Sequence, residues 1–132
     1  MIIGIDLDGT VSRAGLWNPS LKLPWWLFVF LVPIILILKP NKKALRKIKE
    51  MKDWGHKIII VSARPPWSVA FTERWLIHYN VPFDKILCVG FGKGTKDRKL
   101  ETIKREGIEH FFDDNQKLLE FFNHNSVRAT RL

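Results

Sequence analysis

The sequence predicts an α/β protein with a Rossmann-like, doubly wound parallel sheet, and two features of the chain support this fold class. Short apolar runs rich in Ile and Val alternate with segments whose apolar residues recur at helical spacing. The runs lack an apolar/polar alternation, which is typical of strands buried on both faces. Strands and helices in this order form βαβ units, so helices should cover both faces of one sheet. A chain of 132 residues suffices for one such domain.

The predicted elements can be assigned in order along the chain. Asn41 is placed to cap the first helix and Gly55 to end it, and Gly107 should end the third helix. A glycine-rich loop at 90–94 separates the third strand from the third helix. The predicted strands cover 2–7, 57–61, 85–89, a run through Phe111 and Phe112, and an edge strand at 127–130; the predicted helices cover 41–55, 68–79, 95–106 and 116–123.

The charge of the chain is strongly positive and unevenly distributed. The formal net charge is +9, and the stretch from Lys39 to Lys57 holds eight Lys and Arg against two acids. Such a field attracts phosphates on nucleic acids, membranes or small substrates without choosing among them, and a solvated lysine face is the alternative. Cys88 is the one cysteine and lies in an apolar run, so we expect a small buried side chain and a reducing, cytoplasmic setting.

Polar side chains follow three of the predicted strands at the point where each strand ends. They are Asp6 with Asp8, Ser62 with Arg64, and Asp113 with Asp114. Ligands of open α/β sheets bind at the carboxyl ends of the strands, so these side chains should share one site. Taken alone, two aspartates at positions i and i+2 also fit a turn in which carboxylates cap backbone amides.

The order of these residues resembles the four motifs of the haloacid dehalogenase (HAD) superfamily. The first motif is Asp6-Leu7-Asp8-Gly9-Thr10, Ser62 ends the second, a lysine near a helix start forms the third, and Asp113-Asp114 forms the fourth. The resemblance covers nearly the whole chain apart from residues 11–40. It implies a HAD fold and a Mg²⁺-dependent phosphatase.

The resemblance also implies a metal site made of oxygen ligands. Asp6, the main-chain carbonyl of Asp8 and Asp113 would bind Mg²⁺, and Asp114 would hold a metal-bound water or orient the cluster. Mg²⁺ prefers oxygen ligands and keeps several waters. A cation is needed because the attacking carboxylate and the phosphate dianion repel each other.

The catalytic roles implied by the resemblance go to a few side chains. Asp6 would attack phosphorus and form an aspartyl-phosphate, while Asp8 would protonate the leaving group and then activate water. Ser62 and the motif III lysine would stabilise the transferring oxygens. An aspartate at position 8 favours a phosphatase or phosphotransferase over the dehalogenases and cation-pumping ATPases of the family. Thr10 is a candidate substrate-binding residue.

Two assignments remain open in the sequence. Lys93, Lys96 and Lys99 all precede Gly107, and Lys99 fits the family spacing best, with Lys96 as the alternative. Arg64 either contacts substrate phosphate or has a salt-bridge or helix-cap role. Its surroundings look like those of capless HAD phosphatases, including the phosphatase domain of polynucleotide kinases.

Residues 11–40 form a hydrophobic insertion in the position where HAD enzymes carry caps. The uncharged segment 23–38 would span about 24 Å as a helix, less than the ~30 Å hydrocarbon core of a bilayer. A single crossing would also place Asp6 and Ser62 on opposite sides of the membrane. The segment is therefore interpreted as a membrane-interface element assisted by the basic Lys39–Lys52 cluster, as a contact between copies of the chain, or as a lid on its own domain.

Three functions fit these observations. The first is a phosphomonoesterase acting on a bulky or membrane-borne phosphate, with an active site open to solvent. The second is a nucleic-acid or nucleotide end phosphatase, which the basic charge favours and the lack of a repeated stacking-and-basic pattern disfavours. The third is a binding protein that keeps an inactive HAD fold, which the intact motifs disfavour.

Overall fold

A computed structural model of the chain describes residues 1–7, 40–90 and 92–132, and its core is a parallel sheet of five strands in the order β3-β2-β1-β4-β5. All four strand pairings are parallel. The predicted fold class is therefore confirmed. The strands are β1 (Ile2–Asp6), β2 (Lys57–Ser62), β3 (Lys85–Cys88), β4 (His110–Phe112) and β5 (Ala129–Thr130).

Four described helices cover the two faces of the sheet. Helices α1 and α2 contribute Ile48, Trp75 and Leu76 to the core on one face, while α3 and α4 contribute Ile103 and Phe122 to the core on the other face. A short 3₁₀ turn at Pro66–Ser68 precedes α2. The helices are α1 (Lys42–Asp53), α2 (Val69–His78), α3 (Thr95–Arg105) and α4 (Gln116–His124).

Strand β2 explains why the apolar runs of the sequence show no alternation. Ile58 and Ile60 pack into one core, and Ile59 and Val61 pack into the other. All four side chains are fully buried, because successive residues of a strand point to opposite faces and both faces are covered by helices.

The helix ends follow from local chemistry that the sequence contains. The side chain of Asn41 accepts the backbone N–H groups of Lys43 and Ala44 at the start of α1. Gly107, which follows α3, has a φ of +68°, a conformation that favours glycine. Both predicted helix boundaries are thus confirmed within two residues.

One apolar residue next to α1 lies outside the core, and one expectation about burial is wrong. Trp54 continues the apolar spacing of α1, yet its side chain is 79% exposed because the helix ends at Asp53 and Trp54 lies beyond the core. Cys88 is only partly buried, since β3 is an edge strand of the sheet.

Gly4 in the middle of β1 provides a test of how tightly the strand packs against its neighbours. A Cβ atom at this position would lie 2.7 Å from Cδ2 of Phe111 and 2.9 Å from Cδ1 of Ile108. Phe111 is fully buried and packs edge-on against Phe122, so it has little room to move. We expect Gly4→Ala to lower the free energy of unfolding by about 1–3 kcal/mol, measured by urea denaturation.

A matched Gly55→Ala change, at an exposed position where a Cβ meets nothing within 4 Å, should act only through its φ of +88°. Equal stability of Gly4→Ala and wild type would contradict the packing argument.

Several sequence-based assignments lie outside the described residues. They are Asp8, Thr10, the apolar segment 23–38 and Lys39, so only Pro40 of the insertion is described. None of the described helices is long and apolar enough to cross a membrane.

Candidate active site

The strand order brings the ends of β1, β2 and β4 together at the carboxyl edge of the sheet. Strand β1 lies between the other two, with Asp6 aligned to Val61 and Ile5 aligned to Phe112. Asp6, Ser62 and Asp113 therefore end or follow neighbouring strands at the same level, although Asp113 is more than 100 residues from Asp6 in the sequence.

Lys99, on the first half of α3, reaches into this cluster of carboxylates. Its Nζ donates a hydrogen bond to Oδ1 of Asp6 at 2.8 Å and lies 3.5 Å from Oδ2 of Asp113. All three side chains are buried, and Lys99 is 1% exposed. Lys96 does not enter the cluster, since its Nζ lies 4.9 Å from the ring centroid of Phe121. The structure thus places Lys99 beside Asp6, as the preferred motif III assignment requires.

The buried cluster keeps Lys99 positively charged. Burial alone would lower the pKa of Lys99, but the negative charges of Asp6 and Asp113, together with the hydrogen bond to Asp6, outweigh it and raise the pKa above its ordinary range. Lys99 can therefore donate hydrogen bonds to an anion at physiological pH and is unsuited to act as a base.

The same carboxylates form a group that could hold a cation. Single oxygen atoms of Asp6, Asp113 and Asp114 all lie within 4.8 Å of one another. Oδ1 of Asp113 accepts the backbone N–H of Asn115 at 3.0 Å, whereas its buried Oδ2 has the Lys99 ammonium group at 3.5 Å and no hydrogen bond in the described part of the chain. The Lys99 ammonium group balances only one of the three negative charges that Asp6, Asp113 and Asp114 can carry, so this set of oxygen donors fits a hard cation such as Mg²⁺.

Asp114 completes the group from an exposed position. Partial burial, a hydrogen bond with Asp113 and the negative charge of Asp113 raise the pKa of Asp114 above its ordinary value of 3.8. The ionised form of Asp114 is therefore less favourable in the folded protein than in the unfolded chain.

This raised pKa gives a prediction for Asp114→Asn without metal. The unfavourable charge acts fully above the raised pKa and disappears below the ordinary value, so Asp114→Asn should stabilise the protein in EDTA at pH 7 but not at pH 3. We expect a rise in Tm of about 2–4 °C, read by calorimetry. Added Mg²⁺ should raise the Tm of wild type more than that of Asp114→Asn. A lower Tm for the variant in EDTA at pH 7 would contradict the repulsion between Asp113 and Asp114.

Ser62 and Arg64 line the end of β2. The Ser62 hydroxyl accepts the backbone N–H of Arg64 at 3.1 Å and still carries a proton that it can donate. The Arg64 guanidinium is buried and donates from Nη1 to the Thr72 hydroxyl in α2 at 3.1 Å. Arg64 thus ties the loop after β2 to α2, and its contact with substrate phosphate stays a prediction.

The glycine-rich loop before α3 is held in place by Arg98. Its Nε donates to the carbonyl of Val89 at 2.8 Å and its Nη1 donates to the carbonyl of Lys93 at 2.9 Å. Because these bonds fix both ends of the loop to α3, they also fix the start of the helix from which Lys99 extends.

Two residues near the site were missed in the sequence. Asn115 binds Asp113 through its backbone N–H, and its side chain caps α4 by accepting the N–H groups of Lys117 and Leu118. An Asn before a predicted helix is a cap pattern, so this residue could have been found. Thr72 carries no such pattern, because only tertiary folding brings it to Arg64.

No protein-family model matches the chain. Two curated proteins are similar to it. A protein named "Putative nucleotidase" from Bacillus cereus is 32% identical over 82 residues, covering 61% of this chain and 42% of that protein. A protein named "Putative nucleotidase YqfW" from Bacillus subtilis is 24% identical over 143 residues, covering 86% of this chain and 69% of that protein. The chain thus spans less than half the length of the first of these relatives.

Solved structures share the fold over nearly the whole chain. A chain of the Pnkp1/Rnl/Hen1 RNA repair complex matches 99% of this chain with a TM-score of 0.75 and 21% identity, and 42% of that chain is covered. The D,D-heptose 1,7-bisphosphate phosphatase of B. bronchiseptica, solved with magnesium and phosphate, matches 97% with a TM-score of 0.60 and 12% identity, and 78% of that chain is covered. The architecture is therefore a HAD fold.

Proposed function

We propose that the chain is a Mg²⁺-dependent phosphomonoester hydrolase that acts through an aspartyl-phosphate on Asp6. The observation that carries this proposal is the buried contact of 2.8 Å between Lys99 and Asp6, within a group of three carboxylates whose oxygen atoms lie within 4.8 Å of one another. A permanently charged lysine and a cation-binding carboxylate group at one point are suited to a phosphate dianion.

The chain's own residues would hold the cation. Asp6, Asp113 and Asp114 are near enough to one another to share it, and the Asp8 carbonyl is the further ligand that the HAD resemblance implies. When bound, Mg²⁺ offsets the repulsion between the attacking carboxylate and the phosphate.

The reaction then runs in two steps, and Asp6 is restored at the end of the second. A carboxylate oxygen of Asp6 bonds to phosphorus while the bond from phosphorus to the leaving oxygen breaks, and Asp8 gives that oxygen a proton. Asp8 next takes a proton from water, which attacks the aspartyl-phosphate, releases phosphate and restores Asp6. Lys99 and the Ser62 hydroxyl donate hydrogen bonds to the phosphoryl oxygens as their charge develops.

The substrate class we favour is a bulky or membrane-borne phosphate reached through an open, capless site. Helix α1 buries Ile48 and exposes four basic residues, which are Lys42, Lys43, Arg46 and Lys49. In the sequence this basic helix follows directly on the uncharged segment 23–38. An apolar segment with adjoining basic residues combines the two contributions that stable peripheral membrane binding requires.

The membrane proposal predicts binding to anionic vesicles. Binding should weaken as salt rises but persist, because only the contribution of the lysines is screened. The triple variant Trp25→Ser, Trp26→Ser, Leu31→Ser should be lost from vesicles in co-sedimentation while hydrolysis of a soluble aryl phosphate is retained. A different result would contradict the membrane proposal: wild type does not bind vesicles and elutes as a homo-oligomer, while the triple variant elutes as a monomer. Segment 23–38 would then be a contact between copies of the chain.

A second candidate is hydrolysis of a nucleotide or nucleic-acid end phosphate. It is favoured by the nucleotidase names of the two curated relatives and by the net charge of +9. The nucleic-acid form predicts a steep loss of substrate affinity with salt, since each phosphate contact releases counterions.

Phosphate release from a panel of substrates tests the proposed function. Aryl, nucleotide, sugar and lipid phosphates and 3′-phosphorylated oligonucleotides would be compared with Mg²⁺ and with EDTA. We expect hydrolysis of the aryl phosphate in Mg²⁺ and none in EDTA. No release from any substrate by folded, Mg²⁺-loaded protein would favour the binding protein with an inactive HAD fold.

A further inference from the structure

The described helices all begin at the carboxyl edge of the sheet, because each helix connects the end of one parallel strand to the start of another. Exposed lysines lie at three of these four helix starts, on both faces of the sheet. They are Lys42 and Lys43 at α1, Lys93 and Lys96 at α3, and Lys117 at α4. These five residues are called the lysine rim below.

The position of the lysine rim opposes the charge preference of helix ends. The N-terminus of a helix carries a partial positive charge, so acids stabilise the first turn and lysines destabilise it. Helices α1, α2 and α4 have no acid in the first turn, and α3 has only Asp97. Helix stability therefore does not account for the lysine rim.

The two edges of the sheet also differ in how their charges are paired. At the amino edge, Lys52 forms an ion pair with Asp84, and Lys85 forms one with Glu106. No residue of the lysine rim forms an ion pair with an acid in the described part of the chain. The carboxyl edge therefore presents net positive charge to the solvent around the candidate active site.

An exposed aromatic residue lies at the same edge. Trp67 belongs to the turn between β2 and α2, is 56% exposed, and contacts the ring of Phe71 with 5.9 Å between the ring centroids. The turn is held by the Ser68 hydroxyl, which donates to the carbonyl of Pro65 at 2.7 Å. Tryptophan rings prefer the headgroup region of a membrane, and neighbouring lysines are attracted to anionic lipid.

We propose that the carboxyl edge of the sheet docks on an anionic lipid surface through the lysine rim and Trp67, so that the candidate active site faces the bilayer. The inference rests on the proposed hydrolysis of a membrane-borne phosphate and adds the orientation of the protein. Segment 23–38 is joined to the same edge, since it lies between the end of β1 and the start of α1.

The distribution of the charges favours a flat partner. The lysine rim lies on both faces of the sheet, which suits a planar anionic surface. A single nucleic-acid strand is instead bound along a basic groove, with several aromatic rings on which successive bases stack. Trp67 is the one aromatic residue among the described exposed large hydrophobic side chains at the carboxyl edge.

Two exposed tryptophans at opposite edges of the sheet provide a matched test. Trp67→Ser should weaken binding of the full chain to vesicles of phosphatidylcholine and phosphatidylserine by roughly tenfold, measured by co-sedimentation. Trp54→Ser removes a ring that is 79% exposed beyond the end of α1, at the amino edge, and should leave binding unchanged. An equal loss in both variants, or no loss in Trp67→Ser, would overturn the proposal.

A second matched pair tests the charges. Each lysine removed from the rim should weaken vesicle binding roughly fivefold, so a triple variant should lose about 100-fold. A control variant loses the same charge at the amino edge and should bind nearly as wild type does. The rim variant is Lys43→Gln, Lys93→Gln, Lys117→Gln, and the control variant is Lys57→Gln, Lys104→Gln, Arg105→Gln. Equal weakening of the two would show that binding follows net charge alone and would overturn the proposal.

A fluorescent label reports the orientation directly. In a Cys88→Ser background, the label is attached through Gln116→Cys at the start of α4 or through Glu109→Cys before β4, at the amino edge. Both positions are exposed. Spin-labelled lipid should quench the label at position 116 and leave the label at position 109 unquenched. Equal quenching, or the reverse order, would contradict the proposed orientation.

Vesicle binding does not require hydrolysis, so the inference and the proposed function can fail separately. Rim-dependent vesicle binding by protein that hydrolyses no phosphate would retain the docking surface and reject the phosphatase. Hydrolysis of aryl phosphate by protein that does not bind vesicles would retain the phosphatase and reject the docking surface. Rim-dependent binding of a single-stranded oligonucleotide, without binding of vesicles, would assign the surface to nucleic acid and overturn the lipid proposal.

Discussion

Asp6→Asn should abolish phosphate release from an aryl phosphate, with a loss of roughly 10³-fold or more. The change removes the proposed nucleophilic oxygen and one negative charge of the proposed cation site, yet keeps the shape of the side chain. Wild type quenched during turnover should carry a phosphoryl group on the peptide that contains Asp6, and the variant should carry none.

Asp84→Asn provides the matched control for Asp6→Asn. Asp84 precedes β3 at the opposite edge of the sheet, where it accepts from Nζ of Lys52 at 2.6 Å and from the N–H of Ile58 at 2.8 Å. These bonds lower the pKa of Asp84. The Asp84 carboxylate therefore stabilises the folded protein at pH values above the ordinary pKa of 3.8, and this stabilisation is lost as the pH falls through the lowered pKa of the folded protein. The control should lose some stability at pH 7 but keep its turnover. Full activity of Asp6→Asn would refute the mechanism.

Lys99→Ala should reduce turnover by about 10²–10³-fold, far more than Lys96→Ala. Lys99 forms ion pairs with both Asp6 and Asp113, so its loss removes the positive charge beside the proposed nucleophile and the donor proposed for the phosphoryl oxygens. Steady-state kinetics of the two variants on one aryl phosphate would give the comparison. A larger loss in Lys96→Ala would transfer the motif III role to Lys96.

The same substitution should also destabilise the protein strongly. Removing one member of a buried ion cluster costs about 3–5 kcal/mol, because Asp6 and Asp113 are left as neighbouring buried carboxylates. Mg²⁺ should restore part of this loss by supplying the missing positive charge. Chemical denaturation of wild type and variant, with Mg²⁺ and with EDTA, measures both effects. If Lys99→Ala does not fold, Lys99→Arg can replace it, because this variant keeps the positive charge and changes only the geometry of the contacts with Asp6 and Asp113.

The pH dependence of this stability difference follows from the raised pKa of Lys99. A raised pKa means that the contribution of Lys99 is fully present below the ordinary value of 10.5 and is lost only as the pH rises through the higher value in the folded protein. The difference between wild type and Lys99→Ala should therefore not decline between about pH 7 and pH 10. A decline centred near pH 8 would show that Lys99 is not held by the two carboxylates.

Local features of the sequence were sufficient for the secondary structure and the fold class. Asn41 and Gly107 marked helix ends because capping and positive φ depend on a few adjacent residues. The exposure of Trp54 could not be read from the sequence, because the helical periodicity continues past the point where the core ends.

The candidate site was only partly predictable. The sequence determined which residue types follow the strands, since the order of Asp6, Ser62, Lys99 and Asp113 resembles the HAD motifs. It left Lys99 and Lys96 as alternatives, because both precede the same glycine at helical spacing.

Only the tertiary structure showed which of the two lysines lies beside Asp6. One turn of α3 separates them, and the packing of that helix on the sheet directs Lys99 to Asp6 and Lys96 to Phe121. A groove lined by Lys96 on α3 and Lys117 on α4 could likewise not be predicted, because strand order and helix packing bring its walls together. Features that depend on adjacent residues, such as helix caps, can be predicted from the sequence. Distances between side chains that are remote in the sequence are determined only when the sheet forms.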